Sequence, residues 1–213
     1  MTQALTSVVL FTPMSTTVAG PTKGELTRAR ILDAAIARFG RDGFRATSVA
    51  DIARDAGVAG SAPYAYFAGK QDLFLEAIDH DAAAVLEAGL DATTDGGDLL
   101  DWHGALFFNL IGAVDHHPLA GRLLAGREPE VTRRVLESGG LGELRAAYAE
   151  RLVEAQAAGQ VRSDIDVKAT ASGIVTILLS LLMSVVQLGP DVADPYRDDV
   201  VGVFRAALAP RLA

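Results

Sequence analysis

Along most of this chain apolar residues recur at spacings of three and four, the period of helices with one buried face. Ile31, Leu32, Ala35, Ile36 and Phe39 form the first such stripe, with Gly40 and Gly43 expected to end it and Phe44 to add a second aromatic anchor. A second stripe, Val49, Ile52, Ala53 and Ala56, follows Thr47 and Ser48, either of which can cap a helix start, and Ser48-x-x-Asp51 approximates a capping box. Gly57 closes it, with Val58 as a plug between helices. A third helix is expected over about Gly60 to Tyr66, where Pro63 is tolerable because the first turn has no N–H to lose. A fourth starts near Lys70 and buries Leu73, Phe74, Ala77, Ile78 and Val85. The polar break DATTDGGD over Asp91 to Asp98 sets a boundary near Gly89, which this helix crosses.

Beyond it the pattern predicts helices over Leu99 to Val114, Pro118 to Leu124, Pro129 to Leu136, Leu141 to Ala158, Asp166 to Leu188 and Tyr196 to Leu208, with Ser138-Gly139-Gly140 as a loop and Asp194-Pro195 opening the last helix. The fold class is therefore all-α: a three-helix N-terminal head over residues 22–89, a helical bundle over 90–213, and an extension over 1–21 that carries no charged side chain. Within that extension SVVLFT reads faintly as a strand, but it lacks the basic start and long apolar run of a signal peptide.

Two short helices joined by a glycine turn make a helix-turn-helix, whose second helix enters the major groove of DNA. Here that helix would present Gly60, Ser61 and Ala62 at its tip. Lys70 opens the next helix, where free N–H groups already favour an anion such as a phosphate. The stretch resembles the DNA-binding domain of the tetracycline-repressor (TetR) family of bacterial transcription regulators. The resemblance rests on Ile31-Leu32-Asp33-Ala34-Ala35, Phe39, Gly43-Phe44, Thr47-Ser48-Val49, Ile52-Ala53, Ala56-Gly57-Val58, Tyr64-x-Tyr66-Phe67 and Lys70, in order and without gaps. It implies a homodimer on double-stranded DNA, with a divergent C-terminal domain that binds a small-molecule effector. It also implies that Thr47, Tyr66 and Lys70 contact phosphates, with Ser48 beside them, and that Gly60, Ser61, Ala62 and Tyr64 lie in or near the groove. The sequence departs from the family pattern at Ala59, where a Ser or Thr cap is usual, and at Ala65, where a larger polar residue is common. Base reading would then lean on Ser61, on Ala62 against a thymine methyl, and on DNA shape.

The resemblance further implies that the last two long helices form the dimer interface, through Ile174, Ile177, Leu178, Leu181, Leu182, Val185, Val200 and Phe204. The run Gly173 to Leu188 is the most apolar in the chain, yet it falls short of the roughly 20 residues a membrane helix needs. It reads as core on one face and a partner subunit on the other, with no membrane. An aromatic-rich helix facing a long helix suits a pocket, for which Trp102, His103, Leu106, Phe107, Leu110, Tyr148, Thr176 and Met183 are the candidates. Their few polar groups point to a mostly apolar effector.

Charge sharpens this picture. The chain carries −8 overall, a poor balance for a general nucleic-acid binder. From Thr22 to His80, however, 8 Lys and Arg balance 8 Asp and Glu, so the acid excess lies wholly in the body. A neutral head makes few phosphate contacts and needs a dimer for useful affinity. The absence of cysteine removes disulfides and thiolate metal sites and is compatible with a reducing cytoplasm. His80, His103, His116 and His117 show no metal-ligand spacing, and no nucleophile elbow, phosphate loop or dinucleotide fingerprint occurs. No metal, cofactor or catalytic residue is expected, and an enzyme built on the body is disfavoured. The sequence thus points to a ligand-responsive regulator, a repressor on a palindromic operator. The alternative is a protein that keeps the fold as a sensor or interaction module without specific DNA binding.

Overall fold

The computed structural model describes residues 20–93, 98–131, 139–189, 191 and 197–210. Among these there are only helices and turns. The head comprises α1 (Lys23–Ala46), α2 (Val49–Asp55), a 3-10 turn (Ala62–Ala65) and α3 (Lys70–Asp91), which runs on towards the body. The body comprises α4 (Leu99–Val114), α5 (Pro118–Leu124), a 3-10 turn (Pro129–Val131), α6 (Gly139–Ala157), α7 (Val167–Leu188) and α8 (Arg197–Leu208). Residues 1–19 of the expected extension, 132–136 of the expected helix after Pro129, and the Asp194-Pro195 start lie outside the described residues.

Short polar side chains start four of these helices. Thr22 and Glu25 form a reciprocal capping box on α1. Ser48 accepts the Asp51 N–H on α2, Asp98 accepts from Leu100 and Asp101 on α4, and Asp166 accepts from Ala169 on α7.

Glycine marks close approaches as well as ends, and this corrects two expectations. Gly40 does not end α1. It lies within the helix, and a Cβ there would come 2.7 Å from the backbone carbon of Pro118, so it lets α1 and α5 meet backbone to backbone. The break comes at Gly43, with φ 81 and ψ 168, after which one further helical turn leads to Ala46. Gly139 and Gly140 are likewise helical rather than a loop. A Cβ on Gly140 would stand 2.9 Å from Leu86 Cδ1, so this end of α6 crosses α3 closely.

Two cores form. One gathers Ile31, Leu32, Phe39, Ile52, Phe67, Leu73, Phe74 and Ile78 of the head. The other gathers Leu106, Leu110, Leu144, Tyr148, Leu152, Val175 and Leu178 of the body. The short α5 serves both: Leu119 and Leu123 pack in the head core, Ala120 and Leu124 in the body core. Its N-terminus is held by a side chain from another helix. Asp81 on α3, 3% exposed, accepts the Leu119 and Ala120 N–H groups at 3.1 and 2.8 Å and lies 2.8 Å from His117 Nδ1. Burying a carboxylate is costly unless its oxygens are satisfied, and here they are.

Candidate nucleic-acid interface and effector-binding body

The tip of the head is built by a turn. Over Ala62–Ala65 the helix is 3-10, not the longer helix expected, and only its immediate flanks extend it. Pro63 stands in its first turn, where a missing N–H costs nothing. Ala62, Tyr64 and Tyr66 donate three residues back, to Ala59, Ser61 and Pro63. Pro63 itself is buried, while Gly60, Ser61 and Tyr64 face out, Tyr64 with 61% of its surface exposed. Ala62 and Tyr66 are half-buried, and Tyr66 packs against the head core.

Thr47 is a correction. It is 3% exposed, and its hydroxyl donates to the Gly43 carbonyl at 2.8 Å. It closes the end of α1 and offers no hydroxyl to a phosphate. Ser48 is exposed but occupied as the cap of α2, with its Oγ 2.6 Å from Asp51 Oδ2. Lys70 is half-buried at the start of α3, with its ammonium 4.4 Å from the centre of the Phe44 ring. Phe44 is itself fixed by Phe74, ring centres 4.7 Å apart, and by Phe39 at 6.2 Å.

Most of the head's positive charge is paired with carboxylates, one of them in the body. Arg28 pairs with Glu76, Arg38 with Asp55, Arg41 with Asp42, Arg45 with Glu130 and Arg54 with Asp51. Arg30 donates to the Ala56 carbonyl at 2.5 Å. The Ser48 hydroxyl and then Arg54 hold the Asp51 carboxyl below its usual range, and Arg38 does the same for Asp55.

In the body, the candidates Trp102, His103, Leu106, Leu110 and Tyr148 are buried together, with Phe107 and Met183 packed against the same core. Thr176 does not join them. It is exposed on the outer side of α7, with its hydroxyl spent on the Ser172 carbonyl. Within this apolar core sits one polar pair, His103 Nδ1 and the Tyr148 hydroxyl, 2.7 Å apart. Burial pushes the imidazole down to about 4 and the phenol above its usual value. Trp102 meets the Tyr148 ring edge-on and forms a wall of a surface cleft of about 500 Å³, where Arg151 lies 5.4 Å from its ring centre. Helical spacing puts Arg151 in register with Leu144, Tyr148 and Ala155, and it occupies a half-buried flank of α6. Among the described residues no group of three or more His, Asp or Glu could hold a metal ion.

The expected dimer-interface residues divide. Ile174, Leu178, Leu182, Val185 and Phe204 are each 6% exposed or less, packed inside the body of one subunit, and so are not free to meet a partner. A 3.6-residue period cannot say which side of an all-round apolar helix faces its own core. Ile177 is 42% exposed, and Leu181 and Val200 are half-buried. The open face of α7 is completed by Gly173, Thr176, Ser180 and Leu188, and Val203 of α8 is exposed as well. The hydroxyls of Thr176, Ser180 and Ser184 bond back to carbonyls four residues earlier, leaving a face of small, internally satisfied groups. By length and hydropathy α7 could cross a membrane, but about a third of its most apolar window is buried in the body.

Comparison with known proteins agrees with this arrangement. Residues 31–77 match the model for bacterial regulatory proteins of the tetR family, which bears out the resemblance read from the sequence. No curated protein matches the chain. Among solved structures, a TetR-family transcriptional regulator from Cytophaga hutchinsonii superposes with a TM-score of 0.72 at 14% identity, covering 90% of this chain and 98% of the other. The fatty acid degradation regulator FadR from Bacillus halodurans gives 0.61 at 17%, covering 85% and 92%. A gamma-butyrolactone receptor, an ArpA-like protein, gives 0.53 at 24%, covering 88% and 89%. At these identities the likeness is one of fold: an N-terminal helix-turn-helix head on a C-terminal helical body. The matches are transcription regulators, not enzymes.

Proposed function

We propose that this protein is a homodimeric, ligand-responsive repressor that acts in the cytoplasm. Two heads, one per subunit, would enter successive major grooves of a palindromic operator, about 34–36 Å apart or a multiple of that. The observation that carries this reading is the head's outward tip, Gly60, Ser61 and Tyr64, with Lys70 stacked on Phe44 beside it, inside a stretch that matches a regulator family. Ser61 and Ala62 meet base edges, Tyr64 and Tyr66 lie along the groove wall, and Lys70 with the start of α3 takes a phosphate. The partner subunit covers the open face of α7 and α8 around Ile177, Leu181, Leu188 and Val203. The effector is small and mostly apolar and enters the body near Trp102, His103 and Tyr148. That two similar folds are a gamma-butyrolactone receptor and a fatty acid degradation regulator supports this choice. Release follows only if the effector binds the two head spacings with different affinity.

One observation favours a second reading, a sensor without specific DNA binding: five of the head's six arginines are held in ion pairs. Each carboxylate offsets part of the charge its arginine would offer a phosphate. Fluorescence anisotropy against DNA from the protein's own upstream region, at several salt concentrations and with Lys70→Ala alongside, separates the two. Saturable binding well above random DNA, with a salt slope shallower by about one for Lys70→Ala, supports the regulator. Affinity no better than for random DNA, both here and for fragments selected genome-wide, leaves the sensor.

A further inference from the structure

A helix that breaks leaves backbone groups without their usual partners, and the break in α1 is mended by the body. At Gly43 the turn of ψ to 168 swings the next N–H out of the helical ladder. The carbonyl side of the break is satisfied within the head, by the Thr47 hydroxyl. The amide side is not. The Phe44 N–H donates to Oε1 of Glu128 at 3.2 Å, from 84 residues further along the chain. The same oxygen accepts from Arg122 Nε at 2.8 Å, and the Arg122 guanidinium occupies the space a Cβ on Gly43 would need. The two side chains are 18% and 15% exposed, so their attraction is screened less than that of a surface pair. A second, exposed pair, Arg45 and Glu130, joins the same two segments at 2.9 Å.

The residue held in this way carries Lys70 on its ring. The segment that holds it begins on α5, whose last residue is gripped by α7, where Gln187 Nε2 donates to the Leu124 carbonyl at 2.8 Å. We infer that Glu128, oriented by Arg122, is a positioning residue for DNA binding: by anchoring the Phe44 amide it fixes the Lys70 ammonium and the start of α2 at an angle set by the body. This rests on the reading of the head as DNA-binding. A shift of α5 within the body would reach the head at Gly43 through this hydrogen bond and ion pair, beside the packing of Leu119 and Leu123 in the head core.

Three variants test it in the full-length protein: Glu128→Ala, which removes the acceptor; Glu128→Gln, which keeps an acceptor without the charge; and Glu128→Ala combined with Lys70→Ala. Amide hydrogen exchange at Phe44 and anisotropy on a DNA fragment selected by the wild type are the two readouts. Glu128→Ala is expected to speed Phe44 exchange and weaken DNA binding about tenfold each, the scale of one lost charge-assisted hydrogen bond. Glu128→Gln should lose about threefold or less, and the double variant should lose less than the product of the two single losses. Unchanged Phe44 exchange in Glu128→Ala overturns the anchor. Faster exchange with unchanged DNA affinity, or losses that simply multiply, overturns the positioning role. If the wild type selects no DNA, the DNA-binding reading falls and the positioning role with it, while Phe44 exchange still decides whether the body anchors the head.

Discussion

The buried His103–Tyr148 pair makes the body's stability depend on pH in a window of its own. Burial lowers the imidazole from its ordinary 6.5 to about 4, so the folded protein resists a proton that the unfolded chain accepts readily. A depressed folded-state value means the stabilisation is whole above about pH 6.5 and is lost as pH falls towards 4. One pKa unit is worth about 1.4 kcal/mol, so the loss across the window comes to roughly 3 kcal/mol. The surface carboxylates Asp42, Asp51 and Asp55 are also held low, by Arg41, by Ser48 and Arg54, and by Arg38 respectively. Their contribution is present above the ordinary carboxylate value and goes as pH falls below it, so it lies under the histidine window. Urea unfolding can be followed by fluorescence of Trp102, the chain's one tryptophan, whose ring centre lies 4.9 Å from that of Tyr148. Between pH 6.5 and 4.5 the wild type should lose most of that roughly 3 kcal/mol. His103→Gln, whose amide can still bond Tyr148 but does not titrate, should stay nearly flat. Equal slopes for the two proteins would refute the claim that His103 is held neutral by burial.

Other outcomes follow from single contacts. Gly40→Ala places a methyl group against the Pro118 backbone and should destabilise the fold by about 1–3 kcal/mol in urea titration, since neither backbone can yield cheaply. Asp81→Ala orphans the Leu119 and Ala120 N–H groups and should cost at least about 2 kcal/mol, with faster amide exchange at those two positions. If the open face of α7 is the subunit contact, Ile177→Asp should give a monomer by light scattering with its helical circular dichroism intact, because the residue is 42% exposed in the single chain.

The helices were legible in the sequence because their signals are local. Ser48 is legible as a cap from its place before an apolar stripe, and it caps α2; Asp166, where the next long helix is expected to open, caps α7. The tip at Gly60 and Ser61 was legible from glycine and proline chemistry, although the helix there is a short 3-10 turn over Ala62–Ala65. What escaped was non-local. Glu128 meets Phe44 across 84 residues, and nothing in the spacing of either segment announces it. Thr47 fits the pattern of a phosphate-contacting residue, but the break at Gly43 turns its hydroxyl inward. Asp81 did leave a trace: it continues the buried stripe of Phe74, Ile78 and Val85, and an acid at such a position implies a buried partner.

The double allegiance of α5 has a consequence for how this protein can be cut and recombined. Seven residues place Leu119 and Leu123 under the head and Ala120 and Leu124 under the body, with Asp81 reaching across to hold their first turn. The boundary drawn from composition near Gly89 therefore leaves behind part of the head's own floor. A head excised at that boundary would expose the apolar surface that α5 covers and would lean towards aggregation. A chimera that grafts this head onto a foreign sensing domain would need to carry residues 118–131 with it, or a host helix with the same two greasy faces and a glycine-compatible crossing. Modularity here is a property of the two ends of the chain, while the seam between them is a shared part.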